Sequence, residues 1–259
     1  MPDLVPTPIR TVNEAFAGGF ARGELVVLGG LPGSAKSALM LELARYAADP
    51  AHGGHGSWLI SIEMGRTALG SRLLSQNTQV PASAFRGHDL GLERMAALER
   101  ILPTLAALPI WLTDEVTHLS QIQRLIKRAA TADELPRLLF LDYLQLLEGP
   151  RSLDRRLEVS YVTKALKRLA VRHGLTVVAL SSITPPPPEP GRKPRRPTMR
   201  NLRESRDIDH AADIVLMLWQ PTPEGTDREL WIDKGRDGAA GGHATLDFSP
   251  AYLRFQERP

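Results

Sequence analysis

One stretch of the sequence, ELVVLGGLPGSAKSALMLELARYAA from Glu24 to Ala48, is the strongest indication of how this chain folds. It begins with a short apolar run (Glu24–Gly29) that contains β-branched residues and is flanked by glycine, which predicts a buried strand. The segment GLPGSAKS (Gly30–Ser37) follows, and then apolar residues at helical spacing predict a helix starting near Ser37. A strand, a glycine-rich loop and a helix in this order form the structural context of a phosphate-binding loop.

This loop contains the groups that hold the phosphates of a nucleotide. Backbone N–H groups of a glycine-rich loop, together with the N-terminus of the following helix, make an anion-binding nest. In such loops a lysine contacts the terminal phosphates and a Ser or Thr hydroxyl coordinates Mg²⁺. The motif taken alone leaves an ordinary turn as the alternative. The predicted nucleotide-binding residues of the loop are Gly30, Pro32, Gly33, Ser34, Ala35, Lys36 and Ser37.

The loop departs from the usual pattern at one position, because alanine stands at Ala35 where glycine normally precedes the lysine. If the position needs a positive φ, a Cβ atom costs about 1–2 kcal/mol. If φ is negative, alanine fits and only the extra methyl group matters. Either cost is small beside the charge-assisted hydrogen bonds to a triphosphate. We therefore expect weakened or slowed use of ATP and not its loss.

Two acidic residues follow predicted strands downstream of the loop. Asp142 ends the apolar run RLLFLD, and Glu63 follows the strand SWLISI (Ser57–Ile62). Open α/β sheets gather their ligands at the carboxyl ends of the strands, so Asp142 is expected to join the nucleotide site and, with Ser37, to hold Mg²⁺. Glu63 is expected to orient or deprotonate an attacking water. The alternative is an acidic strand end without such a role, which is common.

Composition bounds the class of protein. The chain has 259 residues, of which 42% are hydrophobic and 24% charged, as in ordinary globular proteins. Cysteine is absent, which excludes a disulfide framework and cysteine-based metal sites and suits a reducing, cytoplasmic location. The N-terminal MPDLVPTPIR does not resemble a signal peptide. No apolar run approaches the roughly 20 residues needed to span a bilayer, so we expect no membrane association.

Predicted strands alternate with predicted helices along most of the chain. This alternation predicts an α/β fold with a mostly parallel sheet covered by helices on both faces. Further strands near the C-terminus are expected to extend the same sheet and to end in a hairpin. Because no repeat or boundary interrupts the pattern, residues 1–259 are interpreted as a single domain. The four tryptophans fall in predicted strands and are expected in the core: Trp58, Trp111, Trp219 and Trp231.

One segment differs from the rest in composition. The stretch TPPPPEPGRKPRRP (Thr184–Pro197) is rich in proline and basic residues, which predicts a mobile or polyproline-like loop. Seven Lys or Arg residues lie between Arg192 and Arg206, and basic loops of this kind track the backbone of single-stranded nucleic acid. The segment has no aromatic residue, so we expect backbone contacts without base stacking. A solvated basic loop is the alternative.

Several motifs in order resemble the C-terminal ATPase domain of DnaB-type replicative DNA helicases. SIEMGRTALGSRLLS (Ser61–Ser75) resembles that family's segment with the catalytic glutamate, and LLFLDYLQLLEG (Leu138–Gly149) its Walker B block. RPTMRNLRESRDIDHAADIVLMLW (Arg196–Trp219) resembles its DNA-loop segment, and IDKGRDG (Ile232–Gly238) its inter-subunit finger. The resemblance implies a RecA-like P-loop NTPase core with a C-terminal antiparallel extension.

The resemblance also implies roles for individual residues. Lys36 and Glu63 become catalytic, while Lys234 and Arg236 align with a basic pair that reaches the neighbouring subunit's nucleotide. Charge supplied in trans stabilises the transferring phosphoryl group and requires a homo-oligomer, a hexamer or similar ring. ATP and Mg²⁺ are the implied cofactors and single-stranded DNA the implied partner. The implied DNA-binding residues of the basic loop, about 184–206, are Arg195, Arg196, Arg200, Arg203, Glu204 and Arg206.

Departures from the family pattern leave alternatives open. The sensor position, usually glutamine, is Ser182; the glycine of the RESG motif is Arg206; and the middle of the finger is Gly235. The family's N-terminal domain and linker helix are not found, so we expect a stand-alone core, with a separate primase or loader as a candidate partner. A nucleotide-gated assembly or DNA-binding protein with weak hydrolysis is the main alternative. A RecA-type strand-exchange or clock-type ATPase is disfavoured by the LRES-type and KGR-type segments.

Overall fold

The computed structural model describes residues 3–87, 90–150, 154–187, 194–203, 206–222, 224–235 and 238–259. Within these residues the α-helices are α1 (Arg10–Ala15), α2 (Lys36–Ala48), α3 (Arg66–Asn77), α4 (Gly91–Ala106), α5 (Leu119–Ala132), α6 (Arg155–His173) and α7 (Arg206–Ala211). The strands are β1 (Leu25–Gly30), β2 (Ser57–Ser61), β3 (Ile110–Thr113), β4 (Leu138–Asp142), β5 (Thr176–Ser182), β6 (Ile214–Trp219), β7 (Asp227–Lys234), β8 (His243–Ser249) and β9 (Arg254–Glu257).

The nine strands found in the described residues form one sheet, in the order β3-β2-β4-β5-β1-β6-β7-β8-β9. The strands from β3 to β6 in this order are parallel to their neighbours. The last three pairings, β6 with β7, β7 with β8 and β8 with β9, are antiparallel. The predicted α/β class, the mostly parallel sheet and the antiparallel C-terminal extension are therefore confirmed.

The core consists of two apolar layers, one on each face of the sheet. Strand β1 shows this most clearly, because Val26 and Leu28 pack in the layer with α2, while Leu25 and Val27 pack in the layer with α5 and α6. All six residues of β1 are buried. A central parallel strand covered on both faces has a continuous apolar sequence instead of an alternating one, which is why this stretch could be predicted as a strand.

Helix α6 and the tryptophans illustrate a correct and an incorrect prediction. Apolar and basic residues alternate at a helical period over Arg155–His173, which predicts a helix that Gly174 stops. The helix α6 has these bounds, and Gly174 ends it with a left-handed φ of 62°. Trp111 was expected in the core, and that expectation is wrong, because β3 is an edge strand of the sheet and Trp111 is 50% exposed.

Among the described helices, none is long and apolar enough to cross a membrane.

Candidate nucleotide site and basic segment

The phosphate loop leaves the carboxyl end of β1 with a geometry that depends on glycine. A Cβ atom at Gly30 would lie 2.6 Å from the Ser34 hydroxyl oxygen and 2.8 Å from the Leu218 carbonyl oxygen, so no side chain fits there. Gly33 has a φ of 78°, which glycine adopts without strain. Ser34 is 3% exposed, and its hydroxyl has no hydrogen-bond partner among the described residues.

Ala35 adopts the left-handed conformation that normally requires glycine. Its φ is 72° and its ψ is 27°, and it occupies the N-cap position of α2. Of the two alternatives considered for this residue, the positive φ therefore applies. The strain of a Cβ atom in this region is about 1–2 kcal/mol, and the loop adopts the glycine conformation despite it.

The Lys36 side chain folds back over its own loop. Its Nζ donates hydrogen bonds to the carbonyl oxygen of Gly30 at 2.8 Å and to that of Leu31 at 2.9 Å. Burial lowers the pKa of this ammonium group, and the carboxylates of Asp142 and Glu63 oppose the change. Lys36, Asp142 and Glu63 are thus close enough to interact electrostatically, as the sequence predicted for parts of one site.

Asp142 ends β4, where it pairs in register with Ser61 of β2. Its side chain is 1% exposed, and Oδ2 has no hydrogen-bond partner among the described residues. Burial raises the pKa of the carboxyl group, and a hydrogen bond from the Ser37 hydroxyl lowers it. A buried carboxylate with one oxygen unbonded, beside a serine hydroxyl, provides the oxygen ligands that Mg²⁺ prefers. Ser37 and Asp142 therefore fit the predicted Mg²⁺ ligands.

These groups line a cavity of about 320 Å³ at the carboxyl ends of the parallel strands. Glu63 lies exposed at its wall, and its backbone N–H donates to the Asp142 carbonyl oxygen at 3.4 Å. Open parallel sheets bind ligands at this edge. Sequence reasoning missed part of the lining, since no local pattern marks residues that only the folded chain brings to the loop: Arg72, Phe248 and Leu253.

A further residue that sequence reasoning missed is Gln145, which lies in a short 3₁₀ turn after Asp142. Its Nε2 donates to the Ser181 hydroxyl at 2.9 Å, and its Oε1 accepts from the Ser182 backbone N–H at 3.2 Å. Nε2 also lies 3.4 Å from the Arg203 carbonyl oxygen. Gln145 therefore joins the turn after Asp142 to the end of β5 and to the basic segment, residues 194–203. Its only signal in the sequence was its place in the Walker B block.

The predicted DNA-binding arginines lie in different environments. Arg195, Arg200 and Arg203 are exposed. Arg196 instead forms an ion pair with Asp233 at 2.6 Å and lies 4.2 Å from the centre of the Trp231 ring. Glu204 lies outside the described residues, and Arg206 begins α7 with a side chain that is also outside them.

Lys234, the predicted finger residue within the described part of the chain, is not among the residues that line the nucleotide cavity. Lys234 ends β7, and its Nζ donates to the carbonyl oxygens of Asp209 and, at 2.7 Å, of Ala212. A Cβ atom at Gly235 would lie 2.6 Å from the Ala239 carbonyl oxygen, which explains why this chain has no larger residue there. Arg236 lies outside the described residues.

The fold and the cavity together define the class. A mostly parallel sheet with a phosphate loop after β1, an acid at the end of β4 and an antiparallel extension is the architecture of RecA-like P-loop ATPase domains. A solved structure titled as a DnaB-like replicative helicase with its interactions with primase superposes with a TM-score of 0.85 at 24% identity, covering 97% of this chain and 61% of that one.

Comparison of the amino-acid sequence with known proteins shows the family of this chain. Residues 5–257 match the family described as the DnaB-like helicase C terminal domain, and the chain belongs to this family. It is 30% identical to the replicative DNA helicase DnaC of Bacillus subtilis, over 97% of this chain and 56% of that protein. It is 28% identical to the replicative DNA helicase DnaB of Leifsonia xyli, over 98% of this chain and 56% of that protein. The chain thus spans about half the length of these relatives.

Proposed function

We propose that this chain is the ATP-hydrolysing core of a DNA helicase that binds single-stranded DNA as an oligomeric ring. The observation that carries the proposal is the buried Asp142 carboxylate beside Ser37 and Lys36, with one oxygen unbonded. A buried carboxylate oxygen without a hydrogen bond is costly unless the site serves a cation or a reaction. Family membership and the names of the relatives, replicative DNA helicases, support the same function.

Each residue of the site has a proposed part in the reaction. The backbone N–H groups of residues 33–37 surround the phosphates, and Lys36 exchanges its bonds to loop carbonyls for bonds to the terminal phosphates. Ser37 and Asp142 would hold Mg²⁺, which would supply positive charge beside the terminal phosphates. Glu63, exposed at the cavity wall, orients an attacking water and takes its proton.

The second half of the ATP site comes from a neighbouring subunit in this proposal. The finger strand β7 ends at Lys234, which is not among the residues that line its own chain's cavity. A basic group delivered by an adjacent copy, with Arg236 as the candidate, stabilises charge on the transferring phosphoryl group. Lys234 is the second candidate, although its Nζ is bonded to carbonyls of its own chain. A homo-oligomeric ring follows from this division of the site.

The basic segment is the proposed DNA contact. The exposed guanidinium groups of Arg195, Arg200 and Arg203 suit phosphates of a single strand, which they would hold without sequence preference. Glu204 and Arg206 remain candidates from the family motif. Contact with a primase or loader stays a proposal from the similarity to the DnaB-like structure, and so do a single domain over residues 1–259 and a cytoplasmic location.

The test is steady-state ATP hydrolysis with Mg²⁺, with and without an oligo(dT) strand, in the wild type and in Glu63→Gln. We expect turnover that DNA stimulates, and a loss on the order of 10²–10⁴-fold in Glu63→Gln with nucleotide binding retained. The matched control is Glu115→Gln, which removes an exposed carboxylate paired with Arg66 and leaves turnover unchanged. Absence of nucleotide binding at millimolar ATP would overturn the proposal.

The same assay separates the proposal from its alternative, a nucleotide-gated assembly or single-strand-binding protein with weak or no hydrolysis. That protein would bind ATP and DNA without DNA-stimulated turnover. The strained Ala35 and the short Ser182 side chain are compatible with slow hydrolysis. Family membership and the helicase names of the relatives do not favour it.

A further inference from the structure

Asp233 joins the basic segment, residues 194–203, to the finger strand β7. Its side chain is 7% exposed, and both carboxylate oxygens are used. Oδ1 accepts a hydrogen bond from Arg196 Nη1 at 2.6 Å, and Oδ2 accepts one from the backbone N–H of Met199 at 2.7 Å. Charge-assisted hydrogen bonds of this kind are about twice as strong as neutral ones. The segment is therefore anchored at two points, three residues apart, by one carboxylate.

An irregularity of the sheet places Asp233 in this position. Lys234 pairs with Val215 and Ile232 pairs with Leu216, so Asp233 is an extra residue in β7 with no partner on β6. Such a β-bulge bends its strand and redirects a side chain, and bulges are frequent beside active sites. The bulge comes directly before Lys234, so the anchor and the finger share one local distortion of the strand.

The rest of the segment continues from this anchor towards the nucleotide site. The Arg196 guanidinium lies on the Trp231 ring, which is also in β7. After the 3₁₀ turn at Met199–Asn201, the Arg203 backbone N–H donates to the Ser182 carbonyl oxygen at 3.2 Å. The exposed Arg200 and Arg203 thus lie on a segment tied to β7 at one end and to β5 at the other.

We propose that Asp233 is a positioning residue that couples single-stranded DNA on the basic segment to the finger at the end of β7. This inference rests on the proposed function. A phosphate held by Arg200 or Arg203 displaces the segment, and the Asp233 anchor transmits that displacement to the bulge and to Lys234. Arg196 then serves as the anchor's partner and does not contact DNA, in contrast to the role that its position in the basic loop predicted.

The anchoring step is tested by hydrogen–deuterium exchange on the full chain without ligands. In Asp233→Ala, exchange of the Met199 amide is expected to accelerate about tenfold or more, since a hydrogen bond to a charged group is lost. The matched control is Asp227→Asn, at the other end of β7, which removes an exposed ion pair with Arg258 and leaves the Met199 amide unchanged. Unchanged exchange in Asp233→Ala would overturn the inference.

The coupling step is tested by the ratio of ATP turnover with saturating oligo(dT) to turnover without it. We expect Asp233→Ala to lower this ratio about fivefold or more, the smaller end of typical coupling between sites. Its turnover without DNA is expected to match the wild type, and its melting temperature is expected to fall by only a few degrees, because the two lost bonds hold one surface segment. Asp233→Asn, which keeps the shape and an acceptor for Met199, is expected to give an intermediate ratio. A purely structural role would lower both turnover values together and leave their ratio unchanged.

The outcomes separate the inference from the proposed function. If exchange of the Met199 amide is faster in Asp233→Ala but the ratio of turnover with DNA to turnover without it is unchanged, Asp233 anchors the segment and the proposed coupling is wrong. Absence of DNA-stimulated turnover in the wild type overturns the proposed function and the coupling with it, while the exchange measurement still decides whether Asp233 anchors the segment. Melting of both Asp233 variants far below the wild type would show that Asp233 acts on the fold, and would overturn its role as a positioning residue.

Discussion

The ammonium group of Lys36 donates a hydrogen bond of 2.8 Å to the carbonyl oxygen of Gly30, the residue at which its own loop begins. The side chain of Lys36 is thereby held against its own loop. Nucleotide binding must replace this bond and the one to Leu31 with bonds to phosphate oxygens. Because phosphate is charged and the carbonyl groups are neutral, the exchange is favourable.

The substitution Lys36→Met should weaken nucleotide binding strongly without unfolding the protein. We expect the affinity for Mg²⁺-ATP to decrease by about 100-fold or more, since charge-assisted bonds to two phosphates are lost. Isothermal titration calorimetry measures this, and Lys127→Met on the exposed face of α5 is the matched control. If the affinity of Lys36→Met for Mg²⁺-ATP were within a few-fold of that of the wild type, Lys36 would not belong to the nucleotide site.

Replacement of Ala35 by glycine should stabilise the loop. The φ of 72° strains a Cβ atom by about 1–2 kcal/mol, while glycine adds entropy to the unfolded chain worth roughly 0.4–1 kcal/mol. We expect Ala35→Gly to raise the free energy of unfolding by about 0.5–1 kcal/mol and to tighten ATP binding. Urea denaturation and calorimetry measure the two effects.

The same substitution in a right-handed helix should have the opposite sign. Ala130→Gly, on the exposed face of α5, is expected to lower the free energy of unfolding by about 1 kcal/mol. If both variants were destabilised equally, the left-handed conformation of Ala35 would not be the cause of strain.

Glu42 predicts a dependence of stability on pH. Its carboxylate, on α2, accepts a hydrogen bond from the Phe255 backbone N–H at 3.0 Å, and burial raises its pKa from 4.5 to about 7. A raised pKa means that the folded state favours the protonated acid. The contribution of the Glu42 side chain to the free energy of unfolding is therefore fully present below pH 4.5 and is lost as the pH rises through 7.

Removal of this carboxyl group should remove that part of the pH dependence. At about 1.4 kcal/mol per pKa unit, the loss between pH 4.5 and pH 7 amounts to at most ~3 kcal/mol. We expect Glu42→Gln to be more stable than the wild type at pH 8 and to differ little at pH 4.5, in chemical denaturation at each pH. Glu99→Gln, exposed on α4, is the control that should leave the profile unchanged.

The exposed arginines of the basic segment should contribute to DNA binding through phosphates alone. We expect Arg200→Ala and Arg203→Ala each to weaken binding of all single-stranded sequences alike and to reduce the slope of log K against log salt by about 1. Fluorescence anisotropy of a labelled oligonucleotide at several salt concentrations measures this, with Arg100→Ala on α4 as the control. If the slope of log K against log salt did not change in either variant, the basic segment would not be the DNA contact.

The features that could be predicted from the sequence are those encoded by neighbouring residues. The run of apolar residues in β1, the glycine loop and the helical period of α2 each lie within one short segment, so local patterns predicted them. The end of α6 at Gly174 was predicted for the same reason, because a glycine supplies the left-handed cap locally.

The features that could not be predicted depend on contacts between distant segments. Arg72 and Phe248 belong to α3 and β8, and only the order of strands brings both to the phosphate loop. Trp111 is exposed because β3 is an edge strand, and nothing near Trp111 in the sequence determines its place in the sheet. The bulge at Asp233 arises from its register against β6, which is a property of the pair of strands.

The sequence by itself determined the α/β class, the phosphate loop, the acid that follows β2 and the acid that ends β4, and a basic segment near residue 195. Only the tertiary structure decided the positive φ of Ala35, the folded-back Lys36, the unbonded oxygen of Asp142 and the pairing of Arg196 with Asp233. The amino-acid sequence determines the charge and the size of each side chain. Their burial and their partners, which set pKa values and binding roles, depend on the packing of distant segments.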